Sequence, residues 1–400
     1  AEDGIRDFCL SRGLGDVYKR QPTILTHSIV FEMGRRFNDV NYWYVEYKFA
    51  DSFTQFPIDS YLPKDIRYGI RDKKIFLLLV NFHESFPDSI RAIYTDLIIK
   101  HNIPAEQIIL GSGNPDMIHE VKKVCEELGQ PEINVDWFLE LEFAAWEQKF
   151  RQKGTTHRLD TLQIKDYPKK FLNFNRRWRM HRPTTVALLA VHGLLDKGYI
   201  SLGTADDNQT WEKVLTPIYY YHKSNPELEK IFRENANLIK AIPPLYLDTP
   251  DLVTNRSFIT STTDYLFENS YFSLVTETNY YNDPSLDSRG RFITEKTFKC
   301  IAQEHPFILL APAHTLPLLH QLGYKTFSTL IDESYDREED DNIRMLKVIK
   351  EVERLSNLSG EELVKFLTVA KKICSYNYDN LMSKHQFVQK INYQQLAKIT

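Results

Sequence analysis

Glu295 and Lys296 stand side by side in the stretch FITEKTFKCIAQEHPFILLAP, residues 292–312. Phe298, Ile301 and Ala302 follow at i, i+3 and i+4 spacing, which predicts an amphipathic helix starting at about Thr294. Thr294 suits the N-cap of that helix, and Glu295 suits the positive end of its dipole. Lys296 does not, because a cation in the first turn faces unpaired N–H groups and a partial positive charge. It becomes favourable where an anion binds, since lysine and helix N-terminus then act on the same group. A carboxylate can accept hydrogen bonds from vicinal ribose hydroxyls, and a lysine can neutralise a diphosphate. One helix turn could therefore meet both parts of a nucleotide. An ordinary surface ion pair is the alternative reading.

A second candidate is KKFLNFNRRWRMHR, residues 169–182, with Lys169, Lys170, Arg176, Arg177, Arg179 and Arg182 and no acidic residue. Its arginines fall between a strand pattern (KKFLNFN) and a helix pattern (PTTVALLAVHGLLDKG), where α/β folds place phosphates. A planar guanidinium can contact two phosphate oxygens at once. A solubilising basic loop is the competing reading. GSGNPD, residues 111–116, opens like a dinucleotide fingerprint but has Asp116 where the third glycine belongs, and so reads as a βα turn. The chain contains no GxxxxGK[ST], DxD, HExxH or GxSxG. P-loop chemistry is not expected, and the usual aspartate pair for a metal–diphosphate bridge is missing. No metal or other cofactor is expected.

The elements that would position these groups alternate. KIFLLLVNF (74–82), EQIILGSG (106–113) and EINVDWF (132–138) read as strands, with helix patterns over 88–102 and 114–129 between them. A second alternation starts near 170: strand KKFLNFN, a helix with Pro183 at its first position and Gly198 just past its end, and strand YISLG. YFSLVTET (271–278), a turn-rich loop, the helix after Thr294, strand HPFILLAP, helix HTLPLLHQLG and a short strand KTF complete it. Such alternation implies an α/β fold of parallel sheets covered on both faces. The acidic run DREEDD (336–341) reads as a solvated face, and residues 342–400 read as mainly helical. The segment 24–70 is aromatic and carries no clear period.

Four hundred residues suggest two domains. The polar stretch 151–168 places their boundary, giving 22–165 and 166–370, with a helical segment at 371–400. Residues 1–21 have no apolar core for a secretory signal and read as a non-native leader. With 50 basic and 54 acidic residues the net charge is −4, so nothing global argues for nucleic acid and any anion site must be local. No apolar run is long enough to span a membrane. Cys9, Cys125, Cys300 and Cys374 are scattered without a CxxC pair, so neither zinc nor a disulfide framework is expected and a reducing cytoplasm is the default.

The pattern YFSLVTET, loop, FITEKTFKCIAQEHPFILLAP resembles the donor-domain signature of α1,3-fucosyltransferase-like glycosyltransferases. The resemblance covers 271–312 and more loosely 169–203, and departs after the helix, where AQEHPF replaces the family's small-residue turn. It implies two Rossmann-like domains facing a cleft, the GT-B architecture. It also implies inverting, metal-independent transfer of a sugar, typically fucose from GDP-fucose, to a glycan acceptor. In that pattern Glu295 contacts the ribose and Lys296 the diphosphate. Arg182, at the start of a donor-domain helix, matches a phosphate-binding arginine, with Arg177 and Arg179 beside it. Glu277 matches the glutamate on the preceding strand, and Tyr280 and Tyr281 could shape the donor pocket. The family's acceptor-side base is a glutamate in the N-terminal domain. NFHESFPDS offers Glu84 for that role, with His83 as the alternative.

Overall fold

The computed structural model describes residues 41–46, 58, 62–81, 88–137, 141–142, 145–146, 149, 167, 169–175, 178–203, 210–222, 225–245, 247, 264–282 and 290–383. His83, Glu84, Arg177 and the stretch 1–21 lie outside the described residues.

Strands β1 (Asn41–Glu46), β2 (Ile75–Asn81), β3 (Ile108–Ser112) and β4 (Asn134–Trp137) form a four-stranded parallel sheet in the order β1-β2-β3-β4. Three helical crossovers link them: α1 (Lys64–Arg71), α2 (Asp88–Ala92, continued in π-helical geometry over Ile93–Lys100) and α3 (Met117–Leu128). Leu77, Leu78 and Leu79 are consecutive and all buried, as expected of a parallel strand covered on both faces. α3 ends at Gly129, whose φ of 60° lets Gln130 N–H reach back to the Cys125 carbonyl.

The second sheet contains β5 (Phe171–Asn175), β6 (Gly198–Leu202), β7 (Phe272–Thr276) and β8 (Phe307–Leu310), all parallel, in the order β6-β5-β7-β8. α4 (His181–Val191) links β5 to β6. Among the described residues between β6 and β7 lie helices α5 (Trp211–His222), α6 (Pro226–Glu234), α7 (Ala236–Lys240) and α8 (Asp264–Glu268). α9 (Glu295–Ala302) links β7 to β8, and α10 (Leu316–Gln321), α11 (Asp341–Ser356) and α12 (Gly360–Met382) follow. The chain leaves β5 toward β6 on one side and returns with β7 on the other. The carboxyl ends of β5 and β7 therefore flank a topological switch point, where open α/β sheets bind ligands.

Each sheet has its own core. The first gathers Val45, Leu77, Leu79, Ile93, Leu97, Ile108 and Val121, and the second runs from Leu141 and Ala145 through β5–β8 to Leu381. The strands expected at 74–82, 106–113, 132–138, 169–175, 199–203, 271–278 and 305–312 are all present, within a few residues at their ends.

Several expectations need correction. β1 and α5–α7 come from segments with no legible period. KTF is not a strand: residues 324–327 are irregular, and β8 is the last strand described. α4 begins at His181, so Pro183 is its third residue, where the missing N–H is still one that no helical partner needs. α4 ends at Val191, and Gly198 opens β6 instead of closing the helix. A boundary at 370 falls inside α12, whose Leu363, Phe366, Leu367, Ala370 and Cys374 pack into the second core.

The acidic run is a solvated face only in part: Arg337, Glu339 and Asp340 are exposed, but Asp336 and Asp341 are not. Asp336 is buried and accepts the Thr315 and Leu316 N–H groups at 3.0 and 3.1 Å, Asp340 caps α11, and Asp341 is buried against Arg344.

Candidate anion site

β5 and β7 share a backbone ladder only at their start, Phe171 with Phe272 and Leu172 with Ser273. Beyond it, side chains bridge the strands: Asn173 Nδ2 donates to the Leu274 carbonyl at 2.8 Å, and Thr276 Oγ1 donates to Asn175 Oδ1 at 2.5 Å. Asn175 Nδ2 donates to Asn173 Oδ1 at 2.6 Å, joining the two. Both asparagines are buried, a costly placement that these bonds offset. The strands are thus held apart toward their carboxyl ends. The cue in the sequence is a pair of asparagines two apart, on one face of an otherwise apolar strand.

The β5–α4 loop and the first turn of α4 bring in the basic cluster. No side chain caps α4, and its first turn has no acid. His181 Nε2 donates to the Glu277 carbonyl at 2.9 Å, and Arg182 Nη2 donates to the same oxygen at 3.2 Å. Arg182 is therefore buried at the end of β7 instead of pointing into solvent. Burial first, then the charges of Arg182, Arg179 and Lys296, hold the His181 imidazole well below its ordinary pKa, against the pull of the Glu277 carbonyl. A neutral ring with Nε2 donating leaves Nδ1 as the acceptor.

Glu277 ties this group to α9. Its Oε1 accepts from Thr294 N at 3.0 Å and Thr297 Oγ1 at 2.6 Å; Oε2 accepts from Thr294 Oγ1 at 2.5 Å and Thr278 N at 3.2 Å. A carboxylate offers about four lone-pair sites, and all are occupied within the protein. Glu277 thus fixes the start of α9. Thr294 is the N-cap of α9, as its sequence position suggests. Lys296 Nζ donates to Thr294 Oγ1 at 2.9 Å, Glu295 Oε1 at 3.0 Å and Thr278 Oγ1 at 3.2 Å. Burial alone would raise the Glu295 carboxyl, but the charge and hydrogen bond of Lys296 hold it below its ordinary value.

The structure thus unites the two clusters that sequence singled out separately. The charges of Arg182, Arg179 and Lys296 all act on His181, and Arg182 and Lys296 are linked through Glu277, Thr278 and Thr294. Tyr280 and Tyr281 lie behind it: the Tyr280 ring stacks on His181 at 5.3 Å between centroids, and Tyr281 meets it edge-on at 6.1 Å. Tyr280 is anchored in turn by α11, with its hydroxyl on the Asp341 carbonyl, its own carbonyl on Arg344 Nη2 at 2.8 Å and the Arg344 guanidinium over its ring.

Two further groups escaped the sequence reading. Arg291, in the loop before α9, grips Asp116 at the start of α3. Asp136 sits near the carboxyl end of β4, and burial pushes its carboxyl up to about 6, a value suited to proton transfer near neutral pH. Neither carries a motif. Among the described residues no group of three or more His, Cys, Asp or Glu is placed to hold a metal ion. No described helix is long and apolar enough to cross a membrane.

Among the described residues, fold and site define an α/β chain with two parallel four-stranded sheets and with Arg182 and Lys296 at the carboxyl end of β7. No protein-family model and no curated protein matches the chain. Among solved structures, an α,α-trehalose-phosphate synthase (UDP-forming) from Burkholderia vietnamiensis is similar to it, at 12% sequence identity and a TM-score of 0.42, over 84% of this chain and 71% of that one. At that level the architecture rests on the strand order above and not on the likeness.

Proposed function

We propose that the chain is a glycosyltransferase that binds a nucleotide-sugar diphosphate at the β5–β7 switch point and moves its sugar to a glycan hydroxyl. The observation that carries this reading is that Arg182, Arg179 and Lys296 all act on His181 at the end of β7, where the uncapped start of α4 and the N-terminus of α9 lie. As the glycosidic bond breaks, negative charge grows on the leaving diphosphate. Preorganised cations and helix ends stabilise that charge more in the transition state than in the ground state. In this reading Glu295 takes the ribose hydroxyls, Lys296 and Arg182 the diphosphate, and Arg177 and Arg179 add positive charge. Glu277 positions the others, and Tyr281 backs the pocket through His181. No metal is assigned: the chain has no DxD pair, and in this reading its own cations offset the diphosphate charge.

The leading donor is GDP-fucose, on the strength of the sequence signature. The groups named above all meet a diphosphate or a ribose, and none distinguishes guanine from uracil or cytosine. A UDP- or CMP-sugar donor is therefore the second reading, and a non-catalytic nucleotide- or glycan-binding protein of the same fold is the third. The two sheets would form the facing Rossmann-like halves of a GT-B cleft, with the acceptor on the first. There Glu84, or His83, takes the acceptor proton. Stabilisation of the chain by GDP, UDP or CMP, followed by transfer assays with the corresponding sugars, separates the donors. Glu84→Gln is expected to lower kcat by about 10²–10⁴-fold while leaving nucleotide affinity unchanged. Nucleotide binding without transfer or donor hydrolysis over a broad acceptor panel would favour the binding protein.

A further inference from the structure

Asp116 stands where a dinucleotide fingerprint would have its third glycine, and it occupies the N-cap position of α3. An aspartate there ordinarily accepts an N–H of its own helix. This one does not: it makes no side-chain cap. Its carboxylate is turned instead onto the segment that leads into α9. Asp116 Oδ2 accepts the Arg291 backbone N–H at 2.7 Å, and its two oxygens accept Arg291 Nε at 3.1 and 3.0 Å and Nη2 at 2.5 Å. The pair is bidentate, charge-assisted and largely shielded from water.

The neighbouring residues are shaped for this contact. Asn114 Oδ1 accepts the Asp116 N–H at 2.8 Å and so fixes the turn that presents the carboxylate. Gly290 has a φ of 75°, and a Cβ added there would come within 2.9 Å of Asn114 Nδ2 and 3.1 Å of Asp116 Oδ2, so only glycine allows the approach. From the other side, Asn279 Nδ2 donates to the Gly290 carbonyl at 2.9 Å. Beyond Arg291 the chain has no slack: Phe292 and Ile293 are buried, Thr294 is held by Glu277, and Glu295 and Lys296 follow at once.

We infer that Asp116 and Arg291 are positioning residues for the nucleotide site, so that nucleotide affinity depends on a side chain of the first sheet's β3–α3 loop. The inference rests on the reading given under Proposed function. Glu277 sets the start of α9 from within, and Asp116 sets the approach to it from the other sheet. The aspartate also keeps Arg291 neutralised, so Arg291 is a strap and not a fourth ligand cation. A half of the chain expected to serve the acceptor thus helps to hold the donor.

The test is calorimetric titration of the full chain with GDP, UDP and CMP, alongside thermal melting. The proteins are the wild type, Asp116→Asn, Arg291→Ala, their double variant, and Arg91→Ala, which breaks the exposed Arg91–Glu127 pair at the far end of α3. Each strap variant is expected to weaken the best-bound nucleotide by about 5- to 150-fold, the usual range for coupled sites. The double variant should be no weaker than the weaker single one. Arg91→Ala should bind as the wild type does, whatever it loses in melting temperature. If Asp116→Asn does not fold, Arg291→Lys, which keeps the charge but loses the fork, is read in the same way. A folded strap variant that binds as well as or better than the wild type overturns the inference, as do single losses that multiply in the double variant. A wild-type chain that binds none of the three nucleotides removes the site reading itself, and the inference with it.

Discussion

A histidine among three cations has to be neutral, and His181 is placed so that neutrality costs little. Its Nε2 proton rests on the Glu277 carbonyl and its ring lies against two tyrosines. This has a consequence for stability. The imidazole stays unprotonated in the fold to well below its ordinary pKa of 6.5, whereas in the unfolded chain it charges near that value. The unfolded state then binds more protons below pH 6.5, so this residue's contribution falls as the pH drops from 6.5 and is level above it. The slope is at most about 1.4 kcal/mol per pH unit. Melting curves between pH 5 and pH 8 are expected to show a smaller acid loss for His181→Gln, whose amide can still donate to the carbonyl. Identical acid profiles for the two proteins would mean that the fold does not depress the His181 pKa.

At the scale of elements, the site is a gap between two strands with a helix pinned over it. Asn173 and Asn175 hold β5 away from β7, and Glu277 fastens the start of α9 to the end of β7. Glu277→Gln replaces one acceptor oxygen by an NH₂ that faces existing donors. It should cost about 3 kcal/mol or more, as loss of a buried hydrogen-bonded charge generally does. Nucleotide affinity and melting temperature should fall together, and a variant with wild-type values for both would show that Glu277 does not organise the site.

Apart from β1, the strands of both sheets are legible in the sequence, most plainly where a parallel strand buried on both faces reads as an unbroken apolar run, as in β2 and β8. The cations are legible because arginines cluster between a strand and a helix, and because Lys296 sits at the wrong end of its own. Glu277 was found but given a different task, since local sequence does not say whether a carboxylate faces a ligand or the chain's own N–H groups. Asp336 and Asp341 were hidden in an acidic run that reads as surface, although their partners are backbone amides and a buried arginine. Asp116 was passed over because its partner lies 175 positions away.

The whole molecule is less divisible than its two sheets suggest. Leu141 and Ala145 belong to the second core, and Tyr324 donates to the buried Glu142 at 2.6 Å. A fragment beginning at 166 would lack these groups and Asp116 as well. The resemblance alone would lead one to expect such a fragment to keep its nucleotide affinity. The packing implies instead that it melts lower than a fragment beginning near 138, and that both bind nucleotide more weakly than the full chain. Comparing the melting temperatures and nucleotide affinities of the three proteins decides the matter. Equal affinity in all three would detach the site from the first sheet.

The central claim is that the protein's own cations hold a nucleotide diphosphate at the β5–β7 switch point. Its most direct test is titration of the full chain and of Lys296→Ala with GDP, UDP and CMP in EDTA. The wild type is expected to bind GDP or UDP with EDTA present, and more tightly than CMP, which carries one phosphate. Lys296→Ala should lose about 1.5–3 kcal/mol of that binding, or roughly 10- to 100-fold, as one charge-assisted contact is removed. Undiminished binding by a folded Lys296→Ala would contradict the claim, and so would wild-type binding that vanishes in EDTA and returns with Mg²⁺ or Mn²⁺.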